Sequence, residues 1–264
     1  MILNAAVTGD GDVVVLLHGL FGAARNLGIL TRALSRGARV IAMDLRNHGD
    51  SPHGLPMDFA TMAGDVAETL AALGVASASL VGHSLGGKTV MALALMRPEL
   101  VDRLVVMDIA PVAYDHDYQD YVAAMLAMEL SPGLTRGAAD QMLAATVKAA
   151  PMRSFLLNNL VLGESPRWRV GLREIQEAMP DLLDWPVLPG QRPFTGPALF
   201  LRGAESGYVT AAAEHVIDVL FPDAVRQSIA GAAHWLHADK PREVIAALQE
   251  FLALAPGPGA VPPS

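Results

Sequence analysis

Short apolar runs alternate with longer amphipathic stretches along most of the chain. Six short runs, most of them continuously apolar as in strands covered on both faces of a sheet, predict strands at 13–17, 39–43, 79–81, 104–107, 198–201 and 225–229. The stretches between them predict helices at 26–36, 58–73, 85–96, 211–220 and 242–252. This alternation predicts an α/β fold built on a mostly parallel, doubly wound sheet.

The alternation stops between residues 112 and 197. This segment has helical patterns and no convincing strand, with helices predicted at 118–130, 137–149, 152–162 and 170–179. We interpret the segment as a helical cap inserted before the next strand, over the carboxyl edge of the sheet, where such folds bind ligands. The predicted organisation is a core formed by 1–111 and 198–255, a cap at 112–197 and a Pro/Gly-rich flexible tail at 256–264.

The amino-acid composition argues against several kinds of binding partner and excludes several kinds of catalytic chemistry. The chain has 19 Lys and Arg against 27 Asp and Glu, a net charge of -8, which disfavours nucleic acid as a partner. It has no cysteine, so disulfides, thiolate metal sites and a cysteine nucleophile are excluded. No uncharged apolar stretch approaches the length of a membrane span, and the first residues lack the pattern of a signal peptide. We therefore expect a cytoplasmic protein; no pattern indicates its oligomeric state.

A glycine–histidine–serine–leucine–glycine sequence, 82–86, follows a predicted strand and opens a predicted helix. It matches the G-x-S-x-G nucleophile elbow, in which a serine on a sharp, strained turn exposes its hydroxyl. Glycine is needed two positions away on either side because the strand and the helix pass close together there. The pattern predicts Ser84 as a nucleophile, with the N–H of Leu85 directed towards the site at a helix N-terminus.

The same residues also match a phosphate-binding loop. From Gly82 to Thr89 the sequence GHSLGGKT satisfies G-x-x-x-x-G-K-[ST], and 103–108 resembles a magnesium-binding strand. However, the loop would follow the third strand rather than open the fold, and the magnesium strand would follow only about twenty residues later. A nucleotide hydrolase remains an alternative that leaves the histidine pattern near the carboxyl end unexplained.

A histidine follows the last predicted strand. His234 lies in the sequence GAAHW at 231–235, just before a helix, and the order of serine before histidine is typical of hydrolases with a nucleophile elbow. A serine hydroxyl needs a base near neutral pH, and imidazole suits this role. We predict His234 as the base. The other histidines lack this placement, and those at 48, 53, 116 and 215 are expected to be exposed or in loops.

The sequence HGLFG at 18–22 comes directly after the first strong strand. We predict that it supplies the second oxyanion donor, the N–H of Leu20, opposite that of Leu85. His18 is expected to fix this loop rather than to act as a catalyst.

The carboxylate that orients the histidine is the open question. The turn after the post-cap strand has Ser206 where an aspartate is expected, and Glu205 is one residue out of place. Asp108 ends the strand before the cap, at the edge that also carries the elbow. We favour Asp108 as the acid, with Ser206 as a hydrogen-bonding helper. Asp44 also ends a strand, but we assign it to loop bracing with Arg46 as its partner.

Together the motifs are more specific than the elbow alone. They are HGLFG (18–22), DLRNHGDS (44–51), GHSLGGK (82–88), MDIAPV (107–112) and GAAHWLHADKP (231–241). From about residue 12 to residue 253 the chain resembles a branch of the α/β-hydrolase esterases that has bacterial members and a mitochondrial relative in animals. The resemblance implies a short helical cap and a catalytic set of Ser84, His234, Asp108 and Ser206. At position 205 the branch usually has asparagine instead of glutamate.

The resemblance implies a carboxylesterase that acts on short- to medium-chain acyl esters, with thioesters as a further substrate class. The predicted reaction is attack by Ser84, proton transfer to His234 and hydrolysis of the acyl-enzyme by water, without a metal or cofactor. The alternatives are the nucleotide hydrolase and a catalytically silent binding protein, the latter motivated by the missing post-cap aspartate. Several apolar residues of the predicted cap are candidates for the wall of an acyl pocket. Their helical spacing favours a place in the hydrophobic core instead. These residues are Met125, Met128, Phe155, Leu156, Leu160 and Trp168.

Overall fold

The computed structural model describes residues 1–116 and 118–254, and nine strands occur within these ranges. They are β1 (Ala5–Thr8), β2 (Val13–Leu17), β3 (Arg39–Met43), β4 (Ala78–His83), β5 (Val101–Met107), β6 (Leu160–Val161), β7 (Arg167–Trp168), β8 (Ala198–Gly203) and β9 (Val225–Ile229). Seven of them form one sheet in the order β1-β3-β2-β4-β5-β8-β9. The β1–β3 pair is antiparallel, and the other neighbours in this sheet are parallel.

Helices connect the parallel strands and cover both faces of the sheet. The described helices are α1 (Gly28–Leu34), α2 (Phe59–Ala72), α3 (Leu85–Met96), α4 (Tyr118–Leu126), α5 (Arg136–Leu143), α6 (Ala150–Leu157), α7 (Leu172–Leu183), α8 (Ala211–Leu220), α9 (Leu236–Asp239) and α10 (Pro241–Phe251). Polar side chains cap the N-termini of several of these helices. At the start of α2, for example, the Asp58 carboxylate accepts a hydrogen bond from Thr61 N–H at 2.7 Å. None of the described helices is long and apolar enough to cross a bilayer.

Alternate residues of the central strands contribute to two separate cores. On β2, Val15 and Leu17 belong to the core beneath α2, α3 and α8, whereas Val14 and Leu16 belong to the core beneath α1 and α10. Successive side chains of a strand point to opposite faces, so a continuously apolar strand supplies both cores. This arrangement confirms the predicted doubly wound α/β fold.

The predicted strands at 13–17, 39–43 and 225–229 have the observed bounds, and the other three are longer by two to three residues. One strand of the main sheet, β1, was not predicted. It is four residues long, lies at the sheet edge and is mostly exposed, so it lacks a continuous apolar run. Short exposed edge strands give a weak hydrophobic signal, which explains the omission.

The segment between β5 and β8 contains α4 to α7, as its helical patterns predict. The prediction that it contains no strand is wrong, because β6 and β7 form a small antiparallel pair. Each has only two residues, too few to produce an alternating pattern. The Trp168 indole N–H donates to the Met125 carbonyl at 3.0 Å and joins this pair to α4.

Buried contacts attach the segment to the sheet side of the molecule. The Asn159 side-chain amide donates to the Phe21 carbonyl at 2.7 Å, and Gly171 N–H donates to the Asn47 carbonyl at 2.8 Å. Apolar side chains of α4 to α7 belong to the same core as α2 and α3. The predicted division into core and cap stays a prediction, and the predicted tail at 256–264 lies outside the described residues.

Candidate active site

Ser84 occupies a sharp turn between β4 and α3. Its backbone has φ 53° and ψ -118°, a conformation that residues other than glycine rarely adopt. A Cβ atom at Gly82 would lie 2.2 Å from the Gly86 carbonyl oxygen, and one at Gly86 would lie 2.5 Å from the Leu17 carbonyl oxygen. The close passage of strand and helix therefore requires both glycines, as the elbow pattern predicts.

The His234 imidazole lies between Ser84 and Asp108. Its Nε2 atom is 3.2 Å from Ser84 Oγ, and its Nδ1 atom is 2.8 Å from Asp108 Oδ2. A carboxylate only accepts hydrogen bonds, so Nδ1–H donates to Asp108, and Nε2 is left to accept from the serine hydroxyl. The three side chains come from the ends of β4 and β5 and from the loop after β9, so the parallel sheet brings them to one edge.

Asp108 is fully buried, and donors surround its carboxylate. Oδ1 accepts from Gly203 N–H at 2.9 Å, and Oδ2 accepts from the Ser206 hydroxyl at 2.5 Å as well as from His234. The backbone of Asp108 also has positive φ, at 53°. Glu205, the alternative acid, is exposed, and its backbone N–H donates to the Ala232 carbonyl. The structure therefore brings Asp108 and Ser206, and not Glu205, to the histidine.

The loop of residues 18–22, which we call the oxyanion loop, lies against Ser84. A Cβ atom at Gly19 would lie 3.2 Å from Ser84 Cβ. Leu20 and Leu85 both border a small cavity that also reaches Ser84. Within the described residues, no hydrogen bond joins the N–H of either leucine to a protein acceptor. Both predicted oxyanion donors thus lie next to the predicted nucleophile.

Two buried histidines fix the oxyanion loop. His18 Nε2 accepts from Leu45 N–H at 3.0 Å, and its Nδ1 lies 2.8 Å from the Gly19 carbonyl. His48 Nε2 accepts from Phe21 N–H at 3.0 Å. Burial lowers the pKa of His18 and lowers that of His48 to about 3, so both rings are neutral near pH 7. The loop-fixing role predicted for His18 agrees with these contacts, and His48 lies in a loop, one of the two environments expected for it, with its ring buried.

Asp44 braces its loop without Arg46. Its carboxylate accepts from Ala24 N–H at 2.7 Å, Asp50 N–H at 2.9 Å and the Asn4 side chain at 2.8 Å. The predicted partnership with Arg46 is wrong. The guanidinium instead forms a two-point ion pair with Asp65 of α2, with N–O distances of 2.5 and 2.7 Å. Local spacing suggested a partner within the loop, but the pair joins the loop to a helix.

The lysine and threonine of the phosphate-loop motif have other partners than a phosphate. The Lys88 side chain is buried, and its ammonium donates to the Asp184 carbonyl at 2.7 Å. Thr89 is also buried and donates to the Leu85 carbonyl at 2.9 Å. Both side chains point into packing between α3 and its neighbours, so the nucleotide-hydrolase alternative is wrong.

A pocket of about 300 Å³ opens beside Ser84 and His234. The segment between β5 and β8 contributes Tyr118, Met152 and Phe155 to its walls. Of the cap residues considered from the sequence, Phe155 lines this pocket, whereas Met125, Met128, Leu156 and Leu160 are buried in the core. Helical spacing alone does not distinguish these two environments.

Sequence reasoning missed Tyr208. Its ring stacks on the His234 imidazole, and it lines the same pocket. Tyrosine in a loop has no distinctive pattern, and its only sequence signal is its position two residues after Ser206.

No group of His, Asp or Glu within the described ranges has an arrangement that could hold a metal ion. His83 and His237 lie near His234, but burial lowers the pKa of His83 well below its usual value and that of His237 to about 4. The His83 Nε2–H group donates to the His234 carbonyl at 2.8 Å. His83 thus supports the backbone of the predicted base, and His237 packs against the His83 ring.

The fold and this arrangement define a class of hydrolase. A family model described as the alpha/beta hydrolase fold matches residues 12–241, and the chain belongs to this family. The protein is a carboxylic ester hydrolase, in agreement with the predicted esterase class.

Several relatives are similar over almost the whole chain. The sn-1-specific diacylglycerol lipase ABHD11 of Xenopus tropicalis is 42% identical, covering 94% of this chain and 80% of the relative. Esterase YbfF of Escherichia coli (strain K12) is 38% identical, covering 92% and 94%. A solved structure described as a marine microorganism esterase has a TM-score of 0.90 at 33% identity, covering 95% and 99%. Relatives from bacteria and animals agree with the predicted branch.

Proposed function

We propose that the protein is a serine carboxylesterase in which Ser84 is the nucleophile, His234 the general base and Asp108 the orienting acid. One observation carries this proposal. A chain of hydrogen bonds runs from Ser84 Oγ through the His234 imidazole to the Asp108 carboxylate, with distances of 3.2 and 2.8 Å. A serine hydroxyl that donates to a neutral imidazole, itself oriented by a carboxylate, is the arrangement that activates serine for acyl transfer.

In the proposed reaction, Ser84 attacks the acyl carbonyl while its proton passes to His234 Nε2. The N–H groups of Leu20 and Leu85 stabilise the negative charge on the former carbonyl oxygen. The imidazolium then gives its proton to the leaving alcohol or thiol, and the acyl-enzyme forms. Water attacks this ester with His234 again as base, which releases the acid and restores Ser84.

Ser206 is proposed to hold the acid rather than to react. Its hydroxyl donates to the same oxygen of Asp108 that accepts from His234, and Gly203 N–H binds the other oxygen. These contacts hold the carboxylate in position and provide hydrogen bonds to both of its oxygens. Such hydrogen bonds are needed because a buried charge without partners is costly.

We also propose that residues 112–197 act as a cap over a core of residues 1–111 and 198–255. Tyr118, Met152 and Phe155 come from this segment and line the pocket beside Ser84. Water exclusion by such a segment strengthens the interactions that stabilise the oxyanion.

The proposed substrates are small acyl esters of short to medium chain length, and thioesters. The pocket volume of about 300 Å³ lies at the small end of ligand pockets, and its walls are largely aromatic and aliphatic. The relatives named as esterase and as diacylglycerol lipase make simple carboxylic esters and diacylglycerol esters the first substrates to compare.

A fluorophosphonate probe tests the nucleophile. An activated serine displaces fluoride from the probe and becomes phosphonylated, so we expect labelling of the wild-type protein that disappears in Ser84→Ala. Ser154→Ala, which removes an exposed serine on α6, is the matched control and should keep both labelling and hydrolysis of p-nitrophenyl butyrate.

Labelling that persists in Ser84→Ala, together with unchanged ester hydrolysis, would contradict the proposal. Peptide mapping of the labelled wild-type protein would then identify the serine that reacts.

A further inference from the structure

Tyr208 lies directly on the His234 imidazole. The two rings are nearly parallel, with an interplanar angle of 10°, and their centroids are 3.7 Å apart. Tyr208 lies in the loop after β8 and borders the pocket that contains Ser84. An aromatic ring therefore covers one face of the imidazole.

The backbone of Tyr208 is fixed on both sides. Its N–H donates to Ser206 Oγ at 3.3 Å, and its carbonyl accepts from the Tyr114 hydroxyl at 2.8 Å. The same Tyr114 oxygen accepts from Ala110 N–H at 2.9 Å. Because Ser206 also donates to Asp108, the loop that carries Tyr208 is connected to the carboxylate that orients the imidazole.

The hydroxyl of Tyr208 is connected to the cap. It lies 2.6 Å from the hydroxyl of Tyr118, the first residue of α4. Burial raises the pKa of both phenols, so both stay neutral and one donates to the other. The Tyr118 ring also packs edge-on against Phe21 of the oxyanion loop, with centroids 6.1 Å apart. Tyr118 thus contacts both the oxyanion loop and the residue that covers the base.

We propose that Tyr208 is a positioning residue for His234, and that Tyr118 of the cap keeps Tyr208 in place. The proposal rests on the proposed function, in which His234 becomes an imidazolium when it takes the proton of Ser84. The negative face of the phenol ring stabilises this cation. The ring also restricts rotation of the imidazole out of its hydrogen bonds with Ser84 and Asp108, which keeps the reacting atoms aligned.

Other titratable groups face the imidazole. Asp108 at the end of β5 accepts from Nδ1, the His83 ring of β4 lies with its centroid 4.8 Å away, and His237 of α9 adds a further imidazole beyond His83. Burial lowers the pKa of His83 and His237, so both are neutral near pH 7. Removal of the neutral Tyr208 ring leaves the charges around His234 unchanged, so an altered pH profile reports on the stack.

The test measures kcat and KM for p-nitrophenyl butyrate across the acid limb of the pH profile. In Tyr208→Leu we expect kcat to fall by about 30-fold, with a smaller change in KM, because the imidazolium loses its aromatic partner. The acid limb should move to lower pH, since protonation of the base becomes less favourable.

Two variants separate the ring from its hydroxyl. Tyr208→Phe keeps the stack, so we expect the wild-type acid limb and a loss in kcat of about threefold from the missing hydrogen bond. Tyr118→Phe removes the same bond from the cap side and should have the same effect. The double variant should lose no more than either single variant, because both changes break one interaction.

The NMR chemical shift of the His234 Cε1 proton gives a direct reading of the stack. The ring current of Tyr208 should be lost in Tyr208→Leu and kept in Tyr208→Phe. Tyr121→Leu is the control, since Tyr121 packs on Tyr118 from the same helix and should leave kcat and the proton shift unchanged.

A wild-type kcat and pH profile in Tyr208→Leu, or a loss confined to KM, would overturn the proposal. Turnover that survives in Ser84→Ala would instead contradict the proposed function, so the two failures are distinguishable.

Discussion

Ser84 and Asp108 both have a positive φ, which is unusual for residues other than glycine. Both residues have φ of 53°, and each follows a strand of the parallel sheet. A residue other than glycine in such a conformation costs about 1–3 kcal/mol, which the surrounding packing must offset. The strain turns each side chain out of the strand and towards the imidazole. Two neighbouring strand ends thus present a hydroxyl and a carboxylate to one ring.

The acid assignment makes a residue-scale prediction. Asp108→Asn should lower kcat by about 10⁴-fold, because the amide no longer holds the imidazole in the tautomer that accepts the serine proton. Glu205→Gln is the matched control and should keep near-normal kcat, since Glu205 is exposed. Steady-state hydrolysis of p-nitrophenyl butyrate measures both. Normal turnover in Asp108→Asn with collapse in Glu205→Gln would reverse the assignment.

The position of the oxyanion loop gives a second prediction at the residue scale. Asn159 holds the Phe21 carbonyl, next to Leu20, so Asn159→Ala should displace the loop and lower kcat by on the order of 10²-fold with a smaller change in KM. Asn158→Ala is the control, because that neighbouring side chain is exposed. Equal kcat values in the two variants would show that the loop keeps its position without this hydrogen bond.

At the scale of elements, a buried ion pair connects the loop after β3 to α2. Arg46 and Asp65 are almost fully buried, and Arg46 also donates to the Pro56 carbonyl. A buried pair is costly to break, because the remaining charge loses its counter-ion. The pair therefore makes the position of this loop depend on α2.

Removal of one partner tests this dependence. Asp65→Asn should lower the free energy of unfolding by about 3–5 kcal/mol, measured by urea denaturation. Glu99→Gln is the contrasting variant: the Arg97–Glu99 pair has side chains 53% and 55% exposed, so water screens it and we expect no resolvable change in the free energy of unfolding. A similar small loss in both variants would contradict the structural role of the buried pair.

Lys88 connects α3 to the end of α7. Its ammonium donates to the Asp184 carbonyl and lies over the Phe59 and Tyr114 rings, at 5.1 and 4.9 Å from their centroids. Burial lowers the pKa of Lys88 to about 7, and this effect outweighs the attraction of Asp184. In the unfolded chain the pKa returns to about 10.4.

This difference predicts a pH-dependent stability. Between about pH 7 and pH 10 the unfolded chain binds a proton at Lys88 that the folded chain lacks, so stability rises with pH by up to about 1.4 kcal/mol per unit. Below this window both states are protonated and the contribution is constant. Urea denaturation across the window should show this slope in the wild type and in Lys148→Met, an exposed control, and its loss in Lys88→Met. If the free energy of unfolding rose with pH by the same slope in all three proteins, the prediction would be contradicted.

At the scale of the whole molecule, the pocket lies where the segment between β5 and β8 meets the edge of the sheet that carries Ser84. The Phe155 ring on α6 lies 5.4 Å from the Trp235 ring, which follows the predicted base. Both rings line the pocket, so the size of the Phe155 side chain limits the space within it.

Phe155→Ala should shift the preferred acyl chain to greater length. In a series of p-nitrophenyl acyl esters, we expect kcat/KM of the wild type to fall beyond medium chains, and the variant to gain about tenfold on the longer esters relative to the shorter ones. Ser154→Ala, from the same helix, should keep the wild-type profile. An unchanged profile in Phe155→Ala would place the chain-length limit elsewhere.

The features that depend on neighbouring residues were predictable from the sequence. The parallel strands follow from continuous apolar runs, and the elbow follows from two glycines at fixed spacing between a strand and a helix. Even Asp108 was favoured over Glu205, because parallel strands end at one edge. These patterns are local or follow directly from strand order, so a single sequence contains them.

Only the tertiary structure decided which distant side chains meet. Asp65 rather than Asp44 pairs with Arg46, His48 is buried against Phe21, and Tyr208 covers His234. Such contacts depend on the packing of helices and loops that are far apart in the chain, and they have no period or spacing by which a sequence could reveal them. Local backbone preferences determine the elements, whereas the burial of charge and apolar surface between elements selects the partners.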